Sequence, residues 1–138
     1  MSQFTSFETL QRPDTPNTYL VLPGNVKSPS EADETSPVFG ESPAALFKRV
    51  QSMVSGHDDW KLGESDEAEH QLEFVAVTKL LKFKDDISLK AYPASEDGQT
   101  SALAVYSRSR VGKYDFNANR KRVQSLLAEL KGNAAATA

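Results

Sequence analysis

In three stretches of the second half of the chain, apolar residues recur at every second position, and this period limits the folds that the chain can adopt. The stretches are Gln71 to Thr78, Ile87 to Tyr92 and Ser101 to Arg110. A period of two predicts β-strands that bury one face, and the turn residues Glu96 to Gly98 separate two of them. A further short strand is predicted at Trp60 to Leu62.

Apolar residues with helical spacing occur before and after these strands. Ser42 and Pro43 form a typical helix start, and Gly56 fits a helix stop. A second helix is predicted from about Ala118 to Lys131. The predicted fold is α+β: an antiparallel meander of about four to five strands, with one helix before and one after the strands, both packed on one face. The predicted core residues are Leu46, Val50, Phe74, Leu89, Leu103, Val105, Leu126, Leu127 and Leu130.

The first part of the chain has a different composition, because five prolines interrupt residues 1–40. An extended or partly disordered arm is predicted there, a single domain over 41–131 and a flexible tail over 132–138. The apolar run Tyr19 to Leu22 fits either an edge strand or a segment laid over the core. Residues 1–12 lack any periodicity, and we expect them to be mobile or held only by a partner.

Composition excludes several classes of function. The 138 residues carry a formal net charge of −3, which argues against a general nucleic-acid binder. Cysteine is absent, so disulfides and Cys/His zinc sites are excluded. No P-loop or dinucleotide motif is present, and neither a cofactor nor a metal is expected. No segment reaches the roughly 20 apolar residues of a membrane span, and the start lacks an export signal, which predicts a cytoplasmic location or one peripheral to a membrane.

Cationic residues gather around the last strand and the start of the last helix. Arg108 and Arg110 are two apart on a strand and therefore share a face. Asp115 or Asn117 is expected to cap the helix. One interpretation is a structural clamp to nearby carboxylates; the other is a site for phosphate, sulfate or a carboxylate. The candidate site residues are Asp85, Asp86, Arg108, Arg110, Asp115, Asn119 and Arg120.

Other polar residues carry weaker hypotheses. Asp85 and Asp86 are adjacent on a strand and face opposite sides, so they do not form a carboxylate pair. Single histidines at 57 and 70 fit surface positions, and Ser107 and Ser109 would be nucleophiles only beside a base. The lysines at 79, 82 and 84, with Leu80, Leu81 and Phe83, fit either contact with an anionic membrane or a solvated strand end.

Several motifs together resemble the domain of unknown function 1499 family over about residues 13 to 131. The motifs are Leu72-Glu73-Phe74-Val75, Phe83-Lys84-Asp85-Asp86-Ile87, the run Tyr106 to Gly112, Asp115-Phe116 and Asn119-Arg120-Lys121-Arg122-Val123. The resemblance implies a small α+β domain without an established activity. The chain departs from relatives that have cysteines near Leu22 to Val26 or an N-terminal membrane segment, and Asn117 replaces a usual glycine.

Two classes of function remain open on these residues. The first is a non-catalytic binding or accessory domain that contacts a protein partner or an anionic ligand near the Arg-rich strand-helix corner, with the arm or the open sheet face taking part. The second is a hydrolase acting on an anionic substrate. Because no base is positioned beside the serines, the sequence favours the first.

Overall fold

The computed structural model describes residues 4–79, 82–112, 115 and 117–137, and two helices and six strands form its regular structure. A short 3-10 turn, Phe7–Thr9, precedes them. The elements in chain order are β1 (Thr18–Leu22), β2 (Glu34–Thr35), α1 (Pro43–Ser55), β3 (Trp60–Asp66), β4 (Gln71–Val77), β5 (Lys84–Pro93), β6 (Ser101–Ser109) and α2 (Ala118–Thr137). The predicted α+β class is confirmed.

One sheet in the order β2-β1-β6-β5-β4-β3 contains all the described strands. Strands β3 to β6 form the predicted antiparallel meander. The predicted number of four to five strands is too low, because the arm adds β1 and β2. The Tyr19 to Leu22 run lies inside the sheet, antiparallel to β6 and parallel to the two-residue β2. The prolines on either side of this apolar run leave enough residues between them to form a strand, and β1 ends directly before Pro23.

Both helices cover the same face of the sheet, as predicted. Ser42 accepts a hydrogen bond from the Ala45 backbone NH at 3.2 Å, and Pro43 is the first helical residue, so α1 begins where its sequence indicates. Gly56 follows its end with a φ of −89°, a conformation that does not require glycine. The predicted core is confirmed: Leu46, Val50, Phe74, Leu89, Leu103, Val105, Leu126, Leu127 and Leu130 are all buried in one cluster.

The arm covers part of the opposite face, which we call the outer face. Phe7 is buried there against Leu20, Leu22 and Tyr106. Arg12 pairs with Asp33 at 2.8 Å and fixes the segment beside β1. We expected residues 1–12 to be mobile or held only by a partner, whereas the described part, from residue 4, packs on its own chain. A lone buried aromatic has no periodicity for sequence reasoning to detect.

Candidate functional site at the strand-helix corner

The last helix begins at a cap that Asp115 provides. Its Oδ1 accepts a hydrogen bond from the Asn117 NH at 2.9 Å, and its Oδ2 accepts one from the Asn119 NH at 3.2 Å. Asn117 has a φ of +64°, the left-handed conformation that asparagine tolerates better than most residues. Of the two residues predicted to cap the helix, Asp115 accepts the capping hydrogen bonds, and Asn117 adopts the left-handed conformation of the turn.

Asn119 lies at the centre of a buried polar network. Its side chain is fully buried, and its Nδ2 donates to Asp115 Oδ2 at 2.7 Å, to Ser109 Oγ at 2.9 Å and to the Asn17 carbonyl at 2.9 Å. Its Oδ1 accepts from Ser107 Oγ at 2.6 Å. Sequence reasoning missed Asn17, because the network joins it to residues about a hundred positions away.

The ion pair that fastens the helix to the sheet joins Arg122 to Asp85. Arg122 Nη2 lies 2.8 Å from Asp85 Oδ2, and the side chains are only 10% and 3% exposed. Arg122 Nη1 also donates to Ser107 Oγ and to Asn119 Oδ1. We expected at least one of Arg108 and Arg110 to contact Asp85, Asp86 or Asp115. Asp85 is not that contact, because Asp85 and these two arginines point to opposite faces of the sheet.

Arg110 binds Asp86 on the outer face. Its Nε and Nη2 each donate to one Asp86 oxygen at 2.8 Å, which is the two-point geometry that guanidinium and carboxylate favour. These hydrogen bonds lower the pKa of Asp86, and Asp86 in turn raises the pKa of Arg110. A contact between Arg110 and one of the named aspartates is confirmed, although it ties β6 to β5 and not to the helix.

Arg108 contributes to a second cross-strand group on the outer face. Its Nη1 donates to Ser88 Oγ at 3.0 Å, and Nη2 lies 3.8 Å from Glu73 Oε1. The guanidinium also lies over the Tyr106 ring, 4.9 Å from its centroid. Burial raises the pKa of Glu73, and hydrogen bonding from Ser88 and the charge of Arg108 oppose that rise. The arm joins this group, because the Thr5 hydroxyl is 2.8 Å from Ser88 Oγ.

The four arginines do not converge on one point. Arg108 and Arg110 lie on the outer face, whereas Arg122 lies between the sheet and α2. Arg120 is exposed on the first turn of α2. Burial and a hydrogen bond to Glu34 raise the pKa of Tyr19, and the charge of Arg120 opposes that rise. Asp115 and Asn119, predicted as site residues, belong to the buried network. These groups therefore do not face a common point at which one anion could contact all of them.

The remaining sequence candidates lie apart from the corner network. His57 stacks on Trp60 at 3.9 Å between ring centroids, and the His70 ring is 6.0 Å from that of Phe47. Lys79 pairs with Asp59 at 3.7 Å. Leu80 and Leu81 belong to the run that fits contact with an anionic membrane, and they are outside the described residues. Within the described ranges, no group of acidic or histidine side chains could hold a metal ion, and no helix is long and apolar enough to cross a membrane.

The solved structures that are similar to this one include the following two. The first is the di-domain ARO/CYC protein BexL from the BE-7585A biosynthetic pathway, at 14% identity and a TM-score of 0.55; the match covers 72% of this chain and 45% of that one. The chain thus spans less than half of BexL, and the likeness shows a common fold alone. The second, Ara h 8.0201, has 13% identity and a TM-score of 0.48 over 73% of this chain and 94% of its own.

Sequence comparison identifies the family. No curated protein matches the chain. The family described as "Protein of unknown function (DUF1499)" matches residues 9–130, which include the arm strands, the meander and most of α2. That range also contains every residue of the corner network and, apart from Thr5, every residue of the two outer-face groups. The chain therefore belongs to the DUF1499 family.

Proposed function

We propose that this chain is a non-catalytic binding domain that contacts a protein partner or an anionic ligand beside the Arg-rich corner, on the outer face. The observation that carries the proposal is the exposure of Arg110. Its side chain is 45% exposed although two of its nitrogens bind Asp86. Its Nη1 donates no hydrogen bond to any described residue, so a partner's oxygen atoms can bind there.

The buried network supports a non-catalytic role. A hydrolase that used Ser107 or Ser109 as its nucleophile would need a base beside that serine. In the described part of the chain, Ser107 instead donates to Asn119 and accepts from Arg122, and Ser109 accepts from Asn119. Each of these hydroxyls therefore serves the fold, and the alternative of a hydrolase on an anionic substrate gains no support from them.

Backbone NMR of the labelled chain tests the proposal, with inorganic phosphate and a polyglutamate peptide as separate probes. We expect concentration-dependent shifts at the amides of Lys84, Arg110 and Val111. Arg110→Ala should abolish these shifts, because the exposed guanidinium is lost.

Arg12→Ala is the matched control, since it removes a different partly exposed arginine-aspartate pair on the outer face. Shifts that survive Arg110→Ala, or that never appear with either probe, would contradict the proposed site.

A further inference from the structure

Two exposed apolar side chains lie together at one end of the sheet. The described residues contain four large apolar side chains that are exposed, namely Val38, Leu62, Phe83 and Val111. The Arg110 NH donates to the Lys84 carbonyl at 3.2 Å, which continues the β5–β6 register past its last pair, Asp85 and Ser109. Phe83 and Val111 come next on each strand. They are 46% and 62% exposed, and we call this pair the apolar tip.

A closed turn holds Phe83 at this position. The Thr78 NH donates to the Phe83 carbonyl at 2.8 Å, and the Phe83 NH donates to Thr78 Oγ1 at 2.8 Å. The Lys82 NH bonds the Thr78 carbonyl at 3.0 Å, with a φ of +58° at Lys82. A lysine in this left-handed conformation costs free energy that an extended backbone would avoid. The turn thus fixes Phe83 in solvent at some cost to folding.

Cationic residues adjoin the apolar tip along the chain, in a protein whose net charge is negative. Lys82 and Lys84 are exposed, and neither has an ion-pair partner among the described residues. Arg110 adds a third, partly neutralised charge. The acidic neighbours are engaged, since Asp85 is buried with Arg122 and Asp86 is bound by Arg110. On the β3 side, Asp59 faces Lys79, and the exposed Asp58 is next to it.

We propose that the apolar tip docks on an anionic lipid surface, with Lys82, Lys84 and Arg110 at the level of the headgroups. This inference rests on the proposed binding function and names its partner. Exposed apolar groups next to exposed lysines suit the boundary between acyl chains and anionic headgroups. A soluble anion would bind to the cationic side chains but would leave Phe83 and Val111 in water. Their exposure therefore favours a lipid surface over a small anion.

Vesicle co-sedimentation tests this docking. The full chain is mixed with phosphatidylcholine vesicles, with and without about one third phosphatidylserine. We expect binding to the anionic vesicles, little to the neutral ones, and a decline as salt is raised. Lys82→Glu with Lys84→Glu should weaken binding about tenfold or more, because each lysine near an anionic leaflet contributes about fivefold. Phe83→Ser with Val111→Ser should weaken it on the order of tenfold.

Val38→Ser is the matched control, because Val38 is 65% exposed and lies outside the tip; it should bind like the original chain. Thermal melts confirm that each variant is folded. Equal binding to neutral vesicles, or anionic binding that the tip variants leave unchanged, would overturn the docking. If anionic vesicles do not bind while polyglutamate still shifts the Arg110 amide, the lipid inference is wrong and the proposed binding function stands. If neither probe nor vesicles bind, both are wrong.

Discussion

At the scale of single residues, the polar and charged residues of the strand-helix corner divide into a buried half and an exposed half. Arg122 and Asn119 complete the hydrogen bonding of Ser107, Asp85 and Asp115 beneath the helix. Among the described residues, no buried polar side-chain atom lacks a partner. A buried network in which every polar group is hydrogen-bonded fixes one geometry, because any change leaves a polar group unpaired. The network thus specifies how α2 meets the sheet.

Replacement of Arg122 tests this assignment. Arg122→Ala leaves the carboxylate of Asp85 buried without its charge partner, and we expect the free energy of unfolding to fall by about 3–5 kcal/mol. Urea denaturation measures the change. Arg122→Lys keeps the charge but loses the planar fork, so its stability should lie in between. Arg110→Ala should change stability little, because that pair is exposed; equal losses at the two arginines would contradict the division into a buried and an exposed half.

At the scale of elements, Glu73, Ser88 and Arg108 connect β4, β5 and β6 across the outer face. The Thr5 NH donates to Glu73 at 3.4 Å, so the same carboxylate also contacts the arm. Burial raises the pKa of Glu73, which means that the fold favours its protonated form. Arg108 compensates only in part, since it lies 3.8 Å away.

This gives a pH dependence with a defined sign. The folded chain retains the Glu73 proton above the ordinary value of 4.5, where the unfolded chain has lost it. The contribution of Glu73 to stability is therefore complete below that value and declines as the pH rises through the raised pKa. Glu73→Gln should remove this decline, which melts between acidic and neutral pH would measure. A stability difference between the two proteins that does not vary with pH would refute the assignment.

Periodicity accounts for what sequence reasoning could predict of these elements. Leu126, Leu127 and Leu130 repeat at helical spacing, and the core stripe of α2 followed from that repeat. The pairing of Asp85 could not be predicted, because several arginines were candidates and the sheet separates them by face. Asn17 has no local pattern at all; its position depends on the pairing of β1 with β6.

At the scale of the whole molecule, the sheet is covered on both faces by parts of the same chain. The helices bury one face, and the arm buries the β1–β6 side of the other through Phe7, Leu10 and Val26. Arg108, which shares Ser88 with the arm, is 27% exposed, whereas Arg110 is 45% exposed. Between these two arginines, exposure therefore increases away from the arm.

Phe7 is the residue on which this cover depends, since only 1% of it is exposed. Phe7→Ala should open the segment 4–12 and raise its rate of cleavage by a nonspecific protease about tenfold or more. Mass spectrometry of the fragments locates the cuts. Phe83→Ala is the matched control, because it truncates an exposed phenylalanine and should leave the rate unchanged. Identical rates in all three proteins would show that Phe7 does not hold the arm.

The position of β1 has a consequence for the order in which the chain is made. During synthesis β1 emerges before its long partner β6, which is the last strand of the meander to be made. Until then the apolar residues Leu20 to Leu22 have only the two-residue β2 beside them. Closing a contact over so long a loop is slow. Until β6 is made, the apolar residues of β1 lack their long partner strand, and the nascent chain can associate prematurely with other chains through them.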